Sequence, residues 1–394
     1  MDRYKYIDSI RKLPEPRYIY GAGKAGHIIL QLCNQNGIKI SGFCVTDLKG
    51  NQQSIDGYPV FSFMELVGRV SSPSIIVGVV QRGSLSIEKS LQSEGITEFV
   101  SLPDDILMLD SRELRRYNSP IIEVTPKIGC SVNCRFCPQK LLLSRYYKDN
   151  SNRKSEMSFD DFKIYLEKIP ANTILDWSGF VEPFLNTAAI DMMEYADSKG
   201  FEQTLFTTLQ GLDYETFERV LRIPFDEVIL HTADSFGYAN IPVTEQYLSM
   251  IKDIITAEKT DGTQFLTGAN CQFEPSEKVT EITSGKLKIY CEMSDRAGNL
   301  ESDDMKLASK HLKGKIACSR SRLLNHNVLL PDGSMVLCCN DFGLEYVLGN
   351  LNTDTYDDIL NSDTMKRIIT EMNSDSDNAV ICRNCMYAVE QKDE

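Results

Sequence analysis

The stretch GCSVNCRFCPQK, residues 129–140, places three cysteines close together with the spacing Cys130-x3-Cys134-x2-Cys137. It follows directly on IIEVTPK, residues 121–127, a short apolar run that predicts a buried strand. Three thiolates in one loop can hold three corners of an iron–sulfur cubane and leave its fourth iron open. Two other interpretations stay open here: a zinc loop that lacks one ligand, or three cysteines with no shared role.

The chain continues from this loop as a series of apolar runs separated by amphipathic helices. One such helix is SFDDFKIYLEKI, where Ser158 and Asp161 predict the N-terminal cap. Six βα units are too few for the eight-fold barrel and predict an open or partial (β/α)6 barrel, an α/β fold. Barrel enzymes place their chemistry after the strands, where the cysteine loop lies. With residues 121–127 as the first strand, the other five are predicted at residues 173–179, 203–208, 227–233, 263–268 and 286–293.

With Phe136 before its last cysteine, the loop resembles the motif of the radical S-adenosylmethionine (SAM) enzymes, Cys-x3-Cys-x2-Cys with an aromatic residue at that place. The resemblance implies that Cys130, Cys134 and Cys137 bind a [4Fe–4S] cluster whose open iron chelates the amino and carboxylate groups of SAM. An electron from the cluster then breaks the sulfonium C–S bond, and the 5′-deoxyadenosyl radical takes a hydrogen atom from the substrate. Iron–sulfur potentials reach the reducing range that this step needs.

Later segments resemble the same family in order. SGFVEPFLN, residues 178–186, is similar to the Gly-Gly-Glu-Pro segment that holds the SAM amino group, with Phe180 and Val181 in place of glycine. FTTLQG, residues 206–211, takes the place of a Thr-Asn-Gly strand end. The resemblance implies cofactor-binding roles for Phe136, Gly179, Glu182, Pro183, Thr207, Thr208 and Gln210.

Three more polar residues follow predicted strands. His231 and Asp234 end the fourth strand, where we expect a cofactor or substrate contact as readily as a solvated loop. Arg296 follows the sixth strand, and its planar guanidinium suits the SAM carboxylate or a substrate phosphate. A surface ion pair is the alternative for Arg296.

The last part of the chain holds a second group of cysteines: Cys318, Cys338, Cys382 and Cys385. This group resembles the twitch domain, the shortened form of the SPASM domain found behind radical SAM barrels. The resemblance implies one auxiliary [4Fe–4S] cluster on these four thiolates, with Cys338 favoured over its neighbour Cys339. Four cysteines would satisfy a structural zinc ion equally well on chemistry alone.

The first part of the chain, residues 17–102, alternates short strands and helices and predicts a Rossmann-like parallel sheet. GAGKAG supplies Gly21, Gly23 and Gly26 between a strand and a helix, and Asp47 ends the next strand. The pattern resembles the N-terminal domain of PglD-type sugar acyltransferases, which implies a nucleotide or nucleotide sugar as ligand. Binding of NAD and a pure scaffold role are the alternatives.

The charge composition of the chain disfavours some classes of binding partner. The 394 residues carry 42 Lys and Arg against 56 Asp and Glu, a net charge of −14, which disfavours nucleic acid and anionic membranes. The beginning of the chain has no signal-peptide pattern and no long apolar stretch follows, so we expect a cytoplasmic protein. Its twelve cysteines then do not suit a disulfide framework, and metal binding is the better interpretation of the two clusters among them.

These observations predict three domains: a Rossmann-like domain (1–110), a radical SAM partial barrel (111–300) and a small α+β iron–sulfur domain (301–394). We expect an enzyme that oxidises, epimerises or dehydrates a small polar substrate, a carbohydrate above all, with flavodoxin or ferredoxin as electron donor. One alternative is a SPASM-type maturase of a ribosomal peptide. The other is a non-catalytic, zinc-stabilised scaffold.

Overall fold

A computed structural model describes residues 3–391 except for positions 50, 52, 80, 103–118, 149–152, 292, 301–310, 322 and 376–378. The chain divides into two compact units, Met1–Asn118 and Ser119–Glu394. Both units combine helices with largely parallel sheets, which confirms the predicted α/β class. The predicted barrel and the predicted C-terminal domain lie within the same second unit.

The first unit is built on a six-stranded sheet in the order β3-β4-β2-β1-β5-β6, in which only the β3–β4 pair is antiparallel. The strands are β1 (Arg17–Tyr20), β2 (Gly42–Val45), β3 (Ser54–Ile55), β4 (Tyr58–Ser62), β5 (Ser74–Val77) and β6 (Phe99–Ser101). The helices are α1 (Arg3–Lys12), α2 (Lys24–Gln35), α3 (Phe63–Arg69) and α4 (Gln81–Ser93).

The region from β3 to α3 consists of a β-hairpin followed by a short helix. Asp56 and Gly57 both have positive φ and form the turn of a β-hairpin. The strand after the turn leads directly into α3, whose N-cap Ser62 accepts a hydrogen bond from the Glu65 N–H at 3.3 Å. This segment is therefore regular structure at one edge of the sheet.

The second unit holds a nine-stranded sheet in the order β12-β11-β10-β9-β8-β7-β14-β15-β16 and a separate pair, β13 and β17. The strands are β7 (Ile121–Val124), β8 (Ile174–Trp177), β9 (Glu202–Thr207), β10 (Glu227–His231), β11 (Gly268–Cys271), β12 (Ile289–Cys291), β13 (Ile316–Cys318), β14 (His326–Leu329), β15 (Ser334–Val336), β16 (Val347–Asn350) and β17 (Ala388–Glu390). The helices are α5 (Gln139–Tyr146), α6 (Phe159–Leu166), α7 (Ala189–Ser198), α8 (Tyr214–Val220), α9 (Glu245–Thr256), α10 (Glu277–Thr283), α11 (Tyr356–Leu360) and α12 (Asp363–Met372).

Strands β7 to β12 are parallel and adjacent in sequence order, so the loops after them meet at one edge of the sheet. Strand β14 pairs in parallel with the other side of β7, and β15 and β16 continue the sheet in antiparallel fashion. The C-terminal segment thus extends the sheet that carries the cysteine loop.

One detail of the prediction is wrong, and another is confirmed. The fifth strand of this series is β11, later than residues 263–268, because Glu258 and Gln264 form an antiparallel bridge around a turn at Gly262. Helices α11 and α12 are separate because Ser362 caps α12 with its hydroxyl. The capping box of Ser158 and Asp161 at α6 is present as predicted.

Trp177 belongs to the core of the second unit, as expected. Its side chain is fully buried, packs against Phe162 and donates from Nε1 to Gln203 at 2.7 Å. Within the part of the chain that the structure describes, no helix combines the length and apolar character needed to cross a membrane.

Candidate functional site

A cavity of about 550 Å³ lies at the edge of the sheet where β7 to β12 end. It brings together most of the side chains that the sequence singled out in the second unit. From that set, the cavity is lined by Cys130, Cys134, Phe136, Cys137, Gly179, Glu182, Thr207, Thr208, His231 and Arg296.

The cysteine loop is held from two sides. Gln139 donates from Nε2 to the Phe180 carbonyl at 2.5 Å and accepts from the Cys130 N–H at 3.4 Å, which ties the loop to the segment after β8. On the other side, the Cys134 thiol donates to the Ala239 carbonyl at 3.2 Å. Burial raises the pKa of the Cys130, Cys134 and Cys137 thiols, so binding of a metal cluster would release protons.

Glu182 is an ionisable residue that is almost fully buried, with only 5 % of its surface exposed to solvent. One carboxylate oxygen accepts from Thr207 Oγ1 at 2.9 Å, and the other accepts from the Thr208 N–H and Oγ1 at 2.6 and 2.7 Å. Burial raises the pKa of Glu182 to about 7, although these hydrogen bonds favour the charged form. The segment after β8 and the end of β9 are therefore joined through one carboxylate.

Arg296 reaches the cavity from a strained turn. It and Ala297 both have left-handed backbone conformations, with φ of 49° and 51°, which non-glycine residues seldom adopt. Its Nε is buried without a hydrogen-bond partner, and its guanidinium lies 6.0 Å from the Phe342 ring. A cationic group that lacks a partner in a cavity suits an anionic ligand.

His231 contributes a neutral imidazole to the same wall. Burial, and then the nearby positive charge of Arg296, lower its pKa to about 4. The ring packs edge-on against Phe206, which also lines the cavity. At neutral pH, His231 can therefore donate or accept a hydrogen bond without adding a charge.

Three predicted site residues do not line the cavity in the described part of the chain: Pro183, Gln210 and Asp234. Pro183 begins a short 3-10 turn, and the Gln210 N–H donates to Thr208 Oγ1 at 3.4 Å. The Asp234 carboxylate accepts from three backbone N–H groups, of Phe236, Tyr238 and Ala239, at 2.6 to 3.0 Å. These hydrogen bonds occupy the Asp234 carboxylate and fix the backbone of the loop that follows it. That loop in turn contacts the cysteine loop.

A second, smaller cavity is lined by all four cysteines of the C-terminal group, Cys318, Cys338, Cys382 and Cys385. Cys339 lies in the wall of the larger cavity instead. Burial, followed by the charges of neighbouring cysteines, raises the pKa of Cys338 and Cys382. The structure thus groups the four thiols and separates Cys339 from them.

The spacing of the donors tests which metal group they fit. Within the described residues, no three His, Cys, Asp or Glu side chains come close enough to bind a single metal ion. A zinc ion draws its thiolates together, since each Zn–S bond is about 2.3 Å long. In a four-iron cluster each thiolate binds a different iron, so the thiols stand further apart around one cavity. The donors in both groups are thiolates, and this donor chemistry fits an iron–sulfur cluster.

A buried ionic group, which no sequence motif indicated, lies beside the two cavities. Glu123 on β7 accepts from Arg320 Nη2 at 3.0 Å and from His326 Nε2 at 2.9 Å. Burial alone would raise the pKa of Glu123, but Arg320 and then His326 outweigh it and hold that pKa well below its usual range. Burial and Arg320 together lower the pKa of His326. A charged residue inside the apolar run IIEV was the signal that could have found this group.

Close packing of the backbone explains two of the three glycines of the GAGKAG turn, Gly21 and Gly26. Gly21 has a φ of +116°, and a Cβ there would meet the Gly78 carbonyl oxygen at 2.8 Å. A Cβ at Gly26 would come within 2.0 Å of the Gly21 carbonyl oxygen. Gly23 is the N-cap of α2 with open space around it, and Asp47 accepts from the Lys49 N–H. Nucleotide binding by these residues stays a prediction.

Comparison with known families adds one match. Residues 318–386 match the SPASM family, described as an iron–sulfur cluster-binding domain. This segment contains the four cysteines of the second cavity. No curated protein matches the chain.

Solved structures with a similar arrangement include three proteins at low sequence identity. BtrN in complex with AdoMet and 2-DOIA has a TM-score of 0.42 at 16 % identity, over 68 % of this chain and 93 % of that one. SuiB of Streptococcus suis bound to the precursor peptide SuiA has a TM-score of 0.41 at 11 % identity, over 77 % and 81 % of the two chains. anSMEcpe with bound AdoMet has a TM-score of 0.40 at 16 % identity, over 68 % and 87 %.

Proposed function

We propose that this protein is a radical SAM enzyme with one auxiliary iron–sulfur cluster. The observation that carries the proposal is that the thiols of Cys130, Cys134 and Cys137 line one cavity together with Glu182 and Arg296. Three thiolates leave one iron of a cubane without a protein ligand. A carboxylate, and a guanidinium whose buried Nε lacks a hydrogen-bond partner, suit the amino and carboxylate groups of an amino acid in the same cavity.

Different residues of the cavity would bind different parts of the cofactors. The three cysteines would hold a [4Fe–4S] cluster, Glu182 would receive the SAM amino group, and Arg296 would receive its carboxylate. Cluster and SAM together would supply a 5′-deoxyadenosyl radical that abstracts hydrogen from the substrate. The chain itself positions the substrate and excludes water, because a reactive radical must meet only the intended carbon.

The auxiliary cluster of the proposal is bound by Cys318, Cys338, Cys382 and Cys385. The SPASM match and the shared cavity of these four thiols support it. Four protein thiolates leave no iron open, so we infer a role in electron transfer. In this proposal the second unit combines a partial (β/α)6 radical SAM barrel with a twitch-like segment, and the first unit is a Rossmann-like domain.

For the substrate we propose a small polar molecule, with a carbohydrate, free or nucleotide-linked, as the first candidate. The Gly-rich turn at the start of α2 supports a phosphate-bearing ligand, since helix N-termini offer free N–H groups. A ribosomal peptide is the alternative, because many SPASM proteins mature such peptides. A protein of the flavodoxin or ferredoxin type would supply electrons.

The deciding experiment measures iron and zinc in the anaerobically reconstituted protein, followed by SAM cleavage with a chemical reductant. The proposal expects roughly eight irons per chain and 5′-deoxyadenosine as product. Replacement of Cys130, Cys134 and Cys137 by alanine should remove half of the iron and all cleavage. Replacement of the exposed Cys291 is the matched control and should change neither.

Each other outcome has its own meaning. Roughly four irons with one zinc would keep the radical enzyme and reject the auxiliary cluster. A colourless protein that holds only zinc would overturn the proposal in favour of the scaffold. Titration with a nucleotide sugar and, separately, with a leader-like peptide then separates the two substrate classes.

A further inference from the structure

Three residues line both cavities and so form the wall between the two groups of cysteines: Arg320, Asn340 and Tyr387. None of them was singled out by the sequence analysis. A fixed charge or hydrogen bond in a wall between two proposed cofactor sites acts on both cofactors, because electrostatic interactions are strong at short range and low dielectric.

Arg320 places a permanent positive charge in this wall, since guanidinium groups stay protonated in proteins. Nη1 lies 3.0 Å from Cys339 Sγ, and Nη2 lies 3.0 Å from Glu123 Oε1. The guanidinium carbon stands 5.5 Å from the centre of the Tyr387 ring. These three contacts fix the position of the Arg320 guanidinium between the two cavities.

Asn340 adds a hydrogen bond to a proposed cluster ligand. Its side chain is buried, and Nδ2 donates to Cys385 Sγ at 3.3 Å. The Asn340 carbonyl accepts from Asn299 Nδ2 at 2.9 Å, which anchors its backbone to the turn that carries Arg296. An N–H group directed at a ligand sulfur stabilises the extra negative charge of a reduced cluster.

Glu123 opposes this effect from the far side of Arg320. Its carboxylate is 3 % exposed and also accepts from the Gly179 N–H and from Ser178 Oγ, both at 3.2 Å. The carboxylate offsets part of the positive charge that Arg320 brings to the wall. The two members of this ion pair should therefore shift a nearby potential in opposite directions.

We propose that Arg320 and Asn340 are positioning residues that raise the reduction potential of the auxiliary cluster, and that Glu123 limits the rise. The inference rests on the proposed function, because it requires a cluster on Cys318, Cys338, Cys382 and Cys385. The charges of Arg320 and Glu123 and the hydrogen bond of Asn340 would together set how readily the auxiliary cluster accepts an electron. Charge, hydrogen bonds to sulfur and burial are the general levers on such potentials.

The test is a redox titration of the auxiliary cluster, followed by electron paramagnetic resonance. The full-length chain carries Cys130→Ala, Cys134→Ala and Cys137→Ala, so that a single cluster gives the signal. Arg320→Met and Asn340→Ala should each lower the midpoint potential, and Glu123→Gln should raise it. A shift of 59 mV corresponds to a tenfold change in the ratio of reduced to oxidised cluster at a fixed potential.

Two variants serve as controls. Arg320→Lys keeps the positive charge and should retain most of the parent potential. Arg219→Met removes a positive charge on α8, where Arg219 pairs with Asp191 and Glu194, and should leave the potential unchanged. If Arg320→Met binds no cluster, Asn340→Ala and Glu123→Gln carry the test alone.

The inference is overturned if Asn340→Ala and Arg320→Met leave the potential at the parent value. Shifts of Arg320→Met and Glu123→Gln in the same direction would also overturn it, since that pattern indicates a general loss of structure. A parent chain without an iron–sulfur signal would instead overturn the proposed function, so the two failures are distinguishable.

Discussion

Cys338 and Cys339 are neighbours in the chain, yet their side chains line different cavities. Strand β15 ends at Val336, so both cysteines lie in the loop that follows it. Cys338 lies with the other three C-terminal cysteines, and Cys339 faces the Arg320 guanidinium at 3.0 Å. We therefore propose Cys338, and not Cys339, as the cluster ligand.

Replacement of Cys338 by alanine should therefore remove the auxiliary cluster, whereas replacement of Cys339 should leave it in place. We expect iron to fall from about eight to about four per chain in the first variant and to stay near eight in the second. Iron analysis after anaerobic reconstitution makes the measurement. Equal iron in the Cys338→Ala protein and the parent would show that Cys338 is not a ligand.

Gly179 stands where a side chain has no room. Its φ is +70°, and a Cβ would lie 2.1 Å from Thr125 Oγ1. Gly237 has a similar φ of +69° with open space around it, so Gly237→Ala measures the backbone strain alone. We expect Gly179→Ala to cost about 1–3 kcal/mol more than this control, because the clash adds an overpacking penalty. Urea unfolding of the two cluster-free variants provides the comparison, and equal losses would contradict the prediction.

Glu182 should make the cluster-free protein less stable as the pH rises. Burial raises the folded-state pKa to about 7, above its usual value, so the folded chain favours the protonated carboxyl. The stabilisation is complete below the unfolded-state pKa of about 4.3 and is lost as the pH rises toward 7, an effect of roughly 3 kcal/mol. Glu182→Gln should remove this dependence.

The measurement is the free energy of unfolding at pH 5 and pH 8 for the parent and the variant. Glu215→Gln, at an exposed position on α8, is the matched control and should keep the parent's pH dependence. A Glu182→Gln protein whose stability falls with pH as steeply as the parent's would count against a buried, proton-binding Glu182.

Asp234 should act on the first cluster from outside its cavity. Asp234→Asn replaces one acceptor oxygen by a donor that faces a backbone N–H, so the loop from Phe236 to Ala239 should loosen. This loop accepts a hydrogen bond at 2.8 Å from the N–H of Arg135, the neighbour of the proposed ligand Cys134. We expect faster loss of the first cluster to an iron chelator, with the auxiliary cluster unaffected.

Asp213→Asn provides the comparison, because Asp213 caps α8 through the Thr216 N–H and lies away from both cavities. Its two clusters should resist the chelator as well as those of the parent. Loss of both clusters at equal rates in Asp234→Asn would indicate a global effect instead of a local one.

The sequence predicted those parts of the site that depend on spacing along the chain. Cys130, Cys134 and Cys137 lie in one loop, so a local pattern was enough to group them. The α/β class followed from short apolar runs with helices between them, although β11 was misplaced because a turn at Gly262 precedes it.

The rest of the site depends on contacts between distant segments. Glu123 and Arg320 are 197 positions apart and meet because β14 pairs with β7. For Cys338 and Cys339 the resemblance favoured Cys338, and the structure adds that the two residues line different cavities. For Asp234 the position after a strand was correctly noted, but a backbone turn, and not the cavity, takes up its carboxylate.

Strand β14 has a consequence for how this chain can be divided. It pairs with the full length of β7, from His326 opposite Ile121 to Leu329 opposite Val124. A truncation before β14 would leave β7 as an exposed edge with unpaired N–H and C=O groups, a template for intermolecular association. We therefore expect a chain that is cut before β14 to associate through this edge, so the segment that matches the iron–sulfur family is not a detachable module.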